Sequence, residues 1–179
     1  MSAEVHLAGS KVRIDDFVVA DLTDAYVRWL NDPQVVRFSN QRFRMHTIDS
    51  CRAYLASFTG SSNSFLSIKT LDGRAIGTMS IYCSVPHGTA DIGIMIGDRG
   101  FWNGGYGQEA WNLMVEWLLG RPNIRKVTAG TLDCNIGMIR LMERSGMVLE
   151  GVRHRQELVE GEPHDVVYYG RFADEGRQA

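Results

Sequence analysis

The chain predicts a mixed α+β domain: helices around one mostly antiparallel sheet that contains a single parallel strand pair. Three observations lead there. The strand pattern Ala90–Gly97 runs into a glycine-rich turn and then a helical pattern. A second strand pattern, Lys126–Asp133, and a second helical pattern follow at once. Two hairpin signals, one before this unit and one after it, add antiparallel strands. A β-α-β crossover in one sheet is the part that has to be parallel.

The elements follow in order. Lys11–Phe17 alternates as a strand does. Asp21–Leu30 has helical spacing, with Asp21 placed to cap it. Asn31-Asp32-Pro33 breaks that helix, and Pro33 suits the first turn of a short one beyond. Thr47–Phe58 carries Ile48, Cys51 and Leu55 at helical spacing. Ser64–Thr70 and Ala75–Cys83 read as strands around Leu71-Asp72-Gly73-Arg74, where Asp-Gly signals a hairpin. Pro86-His87-Gly88 is a turn. Ala110, Trp111, Leu113, Met114, Trp117 and Leu118 form a helical stripe. Asn135 opens the last helix. Met147–Val159 and Val166–Phe172 flank the hairpin turn Glu160-Gly161-Glu162-Pro163. The 179 residues suit a single domain, with a core over about 11–173.

The turn Trp102-Asn103-Gly104-Gly105-Tyr106-Gly107-Gln108-Glu109-Ala110 is the most informative stretch. Strand, glycine turn and helix start together present bare N–H groups to an anion. It is not the P-loop, because no Lys-Ser/Thr follows its glycines. It nearly meets the dinucleotide fingerprint, but no doubly wound pattern surrounds it.

Four motifs in order then resemble the GNAT superfamily of acetyl-CoA-dependent N-acetyltransferases, in the branch of the ribosomal-protein enzymes RimJ and RimL. They are Ile92-Gly93-Ile94-Met95-Ile96 in the strand Ala90–Gly97, the loop from Trp102 to Ala110, Asn135 to Met147 (with Arg140, Leu141, Glu143 and Gly146), and Glu150-Gly151-Val152-Arg153. Val12-Arg13, Trp29-Leu30-Asn31-Asp32-Pro33, Gly161, Asp165 and Tyr168-Tyr169-Gly170 extend the likeness over nearly the whole chain. The resemblance implies a GNAT-like sheet whose parallel strands splay apart. Acetyl-CoA would lie in that cleft as co-substrate. Ile94 and Ile96 would offer backbone groups to its pantetheine arm. The amides of Asn103, Gly104, Gly105, Tyr106 and Gly107 would hold its pyrophosphate. Asn135 would hydrogen-bond the cofactor, or cap the helix, or both. Gly104 stands where the family usually has Lys, so the loop lacks a cation.

An amine must lose its charge before it attacks a thioester, and a lysine-type amine needs a base more than an α-amine does. Asp91 stands where the family often has Glu, on the strand face opposite Ile92 and Ile94. It is the first candidate base; His46 and His87 are alternatives. The family's proton donor is Tyr or Ser, but those positions hold Met142 and Met138, which cannot supply a proton. Tyr168 or water could protonate the departing thiolate. Between the first helices, Arg37, Phe38, Arg42, Phe43, Arg44 and His46 suit a flat, anionic acceptor, with Arg37, Phe38, Arg42 and His46 as substrate contacts.

The implied function is acetyl transfer to a primary amine, with a small metabolite such as an amino sugar or nucleotide amino sugar preferred. A protein N-terminal α-amine is the alternative acceptor, and a non-catalytic acyl-CoA-binding domain is the alternative class. A formal charge of −2 gives no electrostatic reason to bind nucleic acid. The apolar run Trp111–Leu119 is too short and too interrupted to span a bilayer, and the N-terminus lacks a signal-peptide pattern. Cys51, Cys83 and Cys134 read as free thiols of a cytoplasmic protein. The histidines are scattered and no Cys/His spacing suits zinc, so no metal is expected. Similar proteins leave a homodimer open.

Overall fold

The computed structural model describes residues 4–173. Its strands are β1 (His6–Ala8), β2 (Val12–Asp16), β3 (Ser64–Thr70), β4 (Ala75–Ser84), β5 (Thr89–Ile96), β6 (Lys126–Leu132), β7 (Val148–Val159) and β8 (Glu162–Phe172). They form one sheet in the order β1-β2-β3-β4-β5-β6-β8-β7. Every neighbouring pair is antiparallel except β5 and β6. This is the mixed sheet the sequence predicts, with the parallel pair at the crossover.

The helices are α1 (Asp24–Asn31), α2 (Ile48–Ala56), α3 (Tyr106–Leu119) and α4 (Ile136–Arg144). The apolar stripe of α3 buries Ala110, Trp111, Met114, Val115 and Leu118 against Ile14, Leu66, Met79, Ile92 and Val127 of the sheet. Residues of opposite parity along the strands supply a second cluster. There Phe17 and Phe65 meet Tyr26 and Leu30 of α1 and Cys51 of α2. Among the described residues no helix is long and apolar enough to cross a membrane.

Several boundaries differ from expectation. Asp21 does not cap α1. The cap is Thr23, whose hydroxyl accepts from Tyr26 N at 3.3 Å. Asp21 instead accepts from Val18 N and pairs with Lys69 at 2.9 Å. No helix begins at Pro33; Asp32 holds a turn by accepting from Gln34 N at 2.9 Å. A short 3₁₀ turn follows only at Asn40–Phe43. Thr47 caps α2 from outside, so that helix starts at Ile48. The two expected hairpins are present, and Gly73 (φ 94°) and Gly161 (φ 89°) take the left-handed positions in their turns. Cys51, Cys83 and Cys134 are free thiols.

Candidate active site

β5 and β6 are paired only over Thr89–Asp91 and Lys126–Thr128. Beyond Asp91 the strands part. The gap opens a cavity of about 250 Å³ whose walls include Phe38, Asp91, Gly130, Thr131, Glu157 and Tyr168. Three residues that the sequence placed far apart as candidates, Phe38, Asp91 and Tyr168, therefore share one wall system. Tyr168 lies opposite Gly130 across the β6–β8 pair. A Cβ at Gly130 would meet its ring at 3.1 Å, so glycine there leaves the ring its place. Arg153 stacks on the same ring, 5.2 Å from its centroid.

Asp91 meets solvent through the cavity mouth, yet protein surrounds it closely. That burial raises its carboxyl pKa above the ordinary value, and a hydrogen bond from Thr128 Oγ1 at 2.8 Å partly offsets the rise. Ile92, its neighbour on the other face, is in the core. A carboxylate with a raised pKa is a better proton acceptor than an ordinary one.

Past Asp91, the free edge of β5 leads towards α3. Gly97 N donates back to Ile76 of β4 at 2.9 Å. Backbone alternation therefore turns the Ile94 and Ile96 groups to the parted side. The two are not equivalent. Trp102 Nε1 donates to the Ile96 carbonyl at 2.7 Å, so that acceptor, unlike the one the resemblance implies, is already occupied. This bond ties the loop to the strand end. Gly97 has a packing reason as well: a Cβ there would overlap the Trp29 ring.

The loop itself is preorganised. Asn103 (φ 59°) and Gly105 (φ 81°) are both left-handed. Gly105 sits at the N-cap of α3 with no side-chain cap, whereas Thr23, Thr47 and Asn135 cap the other three helices. The first amides of the longest helix are thus left without a side-chain acceptor, at the positive end of its dipole. A Cβ on Gly104 would press the Tyr106 ring at 2.9 Å, and one on Gly107 would meet Ile96 at 3.3 Å.

The loop does not lack a cation after all. Lys11 Nζ donates to the Gly104 carbonyl at 2.8 Å and lies 5.7 Å from the Tyr106 ring centroid. Glu109 puts it there. Its carboxylate accepts from Ser10 N (2.9 Å), Ser10 Oγ (2.5 Å), Lys11 N (2.7 Å) and Val12 N (2.8 Å). Burial alone would raise the Glu109 pKa, but these bonds outweigh it and leave it lowered. Sequence reasoning missed Lys11 and Glu109 because about a hundred residues separate the partners. It missed Glu157 because a glutamate in a polar strand carries no signal of its own.

Asn135 caps α4: its Oδ1 accepts from Met138 N at 3.3 Å, and its Nδ2 donates to Thr131 Oγ1 at 3.0 Å. Met142 is fully buried, and Met138 packs against the same core. Their side chains serve packing. Arg37 pairs with Glu160 at 3.1 Å. Arg42 donates to the Leu158 carbonyl at 3.0 Å and lies 3.8 Å from Glu157, while its Nη1 is buried without a partner. His46 is held by Asn31 Oδ1 and Gln41 O and does not line the cavity. His87 is exposed in a 3₁₀ turn outside the cavity walls, and its carbonyl accepts from Arg125.

Residues 11–148 match the family model described as the acetyltransferase (GNAT) domain. This chain belongs to the GNAT acetyltransferase family. A probable N-acetyltransferase of Bacillus subtilis, YjcK, is 29% identical over 100 residues. That match covers 54% of this chain and 55% of YjcK, so it spans about half the length of that relative. Spermidine N-acetyltransferase from Vibrio cholerae, solved with CoA and spermine, superposes with a TM-score of 0.81 at 16% identity, over 92% of this chain and 97% of that one. The ribosomal-protein-S5-alanine acetyltransferase from Vibrio fischeri gives 0.81 at 16% identity, over 96% and 98%. At such identities these two structures show the shared GNAT fold.

Proposed function

We propose that this GNAT enzyme moves the acetyl group of acetyl-CoA directly to the primary amine of a small metabolite of the amino-sugar type. One observation carries the reading. The parted strands put Asp91 and Tyr168 on one cavity, and the free edge of β5 runs from that cavity to the uncapped start of α3. A linear thioester donor with a phosphorylated tail fits this layout. The amides of residues 103–107 and the Lys11 ammonium take the pyrophosphate. Ile94 meets the pantetheine arm through its backbone, and Asn135 turns its remaining hydrogen-bonding capacity to the same arm.

The chemistry then runs as follows. Asp91 takes a proton from the incoming ammonium. The amine nitrogen forms a bond to the acetyl carbon, and the C–S bond breaks. The thiolate leaves with its electron pair and takes a proton from Tyr168 or water. A thiol pKa near 8.5 makes this last step undemanding, so methionine at positions 138 and 142 is no obstacle.

The cavity walls favour the acceptor class. Asp91 and Glu157 suit an amine; Arg42 does not line the cavity and reaches it only through Glu157, 3.8 Å away. The same two carboxylates oppose a pyrophosphate inside the cavity, which makes a free amino sugar a better fit than a nucleotide-linked one. Arg37, expected as a substrate contact, is paired with Glu160 and does not line the cavity. The open mouth at Asp91 favours one rival, a protein N-terminal α-amine, as in the RimJ/RimL branch. Thiol release from acetyl-CoA against amino sugars, nucleotide amino sugars, polyamines, amino acids and ribosomal-protein N-terminal peptides separates the two. Turnover confined to peptides would reject the metabolite reading.

A further inference from the structure

Outside this cavity, the turn after β6 brings three metal-binding side chains together. Asp133, Cys134 and His164 each offer one donor atom, and all three atoms lie within 4.8 Å of one another. His164 Nδ1 and Asp133 Oδ1 are 2.8 Å apart. All three residues are half-buried. Tetrahedral zinc with ordinary Zn–S, Zn–N and Zn–O lengths needs donors roughly 3.3–3.7 Å apart. Side-chain shifts of about 1 Å close that difference.

The backbone carrying these donors is already fixed. Asp133 N donates to Asp165 O at 2.9 Å, which ties the β6 turn to the strand beside His164. Leu132 and Val166 are in register one step further in. Asn135 N donates to Leu132 O at 3.0 Å and closes the turn that holds Cys134. Only side chains have to move, so little ordering cost opposes binding.

We propose that Asp133, Cys134 and His164 form a site for one zinc ion, with a fourth position left to water. The donor set is a thiolate, an imidazole and a carboxylate, which suits borderline Zn²⁺ over the hard cations Mg²⁺ and Ca²⁺. The thiolate and carboxylate together balance the charge of the ion. Burial and the Asp133 charge raise the Cys134 pKa, while Arg37 and Arg42 act the other way. Both arginines are matched by carboxylates, Glu160 and Glu157, so the surroundings are not a cationic patch. The ion would clamp the end of β6 to the start of β8, one residue before Asn135. It stands apart from the acetyl-transfer reading and takes no part in that chemistry.

The test uses tag-free, metal-free protein titrated with Co²⁺ and then Zn²⁺. The expected result is one equivalent of Co²⁺, with the visible bands of tetrahedral cobalt and a near-ultraviolet thiolate-to-cobalt transition, displaced by Zn²⁺. Zinc at about 100 times its Kd should raise the melting temperature by roughly 5–10 °C. C134S should abolish the thiolate band, and C134S and H164A should each weaken binding about 100-fold. C83S should change neither. H164A keeps the thiol and provides the reading should C134S fold poorly. A site without the thiolate band, or one that survives in both C134S and H164A, would overturn the proposal. Acetyl transfer measured in parallel keeps its own outcome, since neither result depends on the other.

Discussion

At the scale of single residues, the proposed base Asp91 sets the expected pH dependence. Its pKa is raised in the folded protein, so the proton is held to higher pH than in the unfolded chain. The active carboxylate is lost as pH falls through that raised value, and ionisation above it opposes folding. kcat/KM should therefore fall on acidification with a midpoint above the ordinary aspartate value of about 3.9. D91N should lower kcat about 10²–10⁴-fold, remove that limb and leave the melting temperature equal or higher. A pH profile and a melt on the same variant check both halves. Lys11 makes a different prediction. K11M should raise KM for acetyl-CoA about 10-fold, the low end for an exposed charged hydrogen bond, with kcat kept. Turnover of S-acetylpantetheine, which has no phosphate, should not change. An equal loss with both donors would mean that Lys11 merely braces the Gly104 carbonyl.

At the scale of elements, α3 is set apart by what it lacks. Its N-cap is a left-handed glycine without a side-chain acceptor, and its first-turn acid, Glu109, reaches away to the Gly9–Val12 turn. G105A should cost about 1–2 kcal/mol, because an L-residue resists φ near +81°. Its Cβ would also meet Lys11 Nζ at 3.3 Å. Thermal melts should show the loss, and acetyl-CoA affinity should fall with it. Most elements were legible because hydrophobic periodicity and turn chemistry are local. Ser64–Thr70 matched the expected strand at both ends, since Asn63 and the Asp72-Gly73 turn bound it. The three-residue β1 was not legible, because an edge strand that short has no periodicity to read. The α1 cap was misplaced because Asp21 and Thr23 are both good caps, and the Lys69 pair that claims Asp21 comes from β3.

At the scale of the whole molecule, the cavity wall is assembled from distant pieces. Residues 37–44 lean on the β7–β8 hairpin through Arg37–Glu160 and through Arg42 on Leu158 O and Glu157. R42A should loosen that wall and raise KM for the acceptor about 10-fold, as expected for one lost charged hydrogen bond. The Kd for acetyl-CoA should not move, because the loop at residues 103–107 lies on another element. Calorimetry with acetyl-CoA alongside acceptor kinetics separates the two. The sequence by itself determined the mixed sheet, the order of its elements, the glycine loop and Asp91 as the carboxylate on the outward face, because periodicity, turn residues and strand alternation act within a few neighbours. Only the tertiary structure decided that Lys11 restores the loop's missing cation, that Arg42 serves the wall, and that Asp133 and Cys134 meet His164. Those contacts join residues 30 to 120 positions apart, and the pairing of strands, not any local pattern, brings such partners within reach.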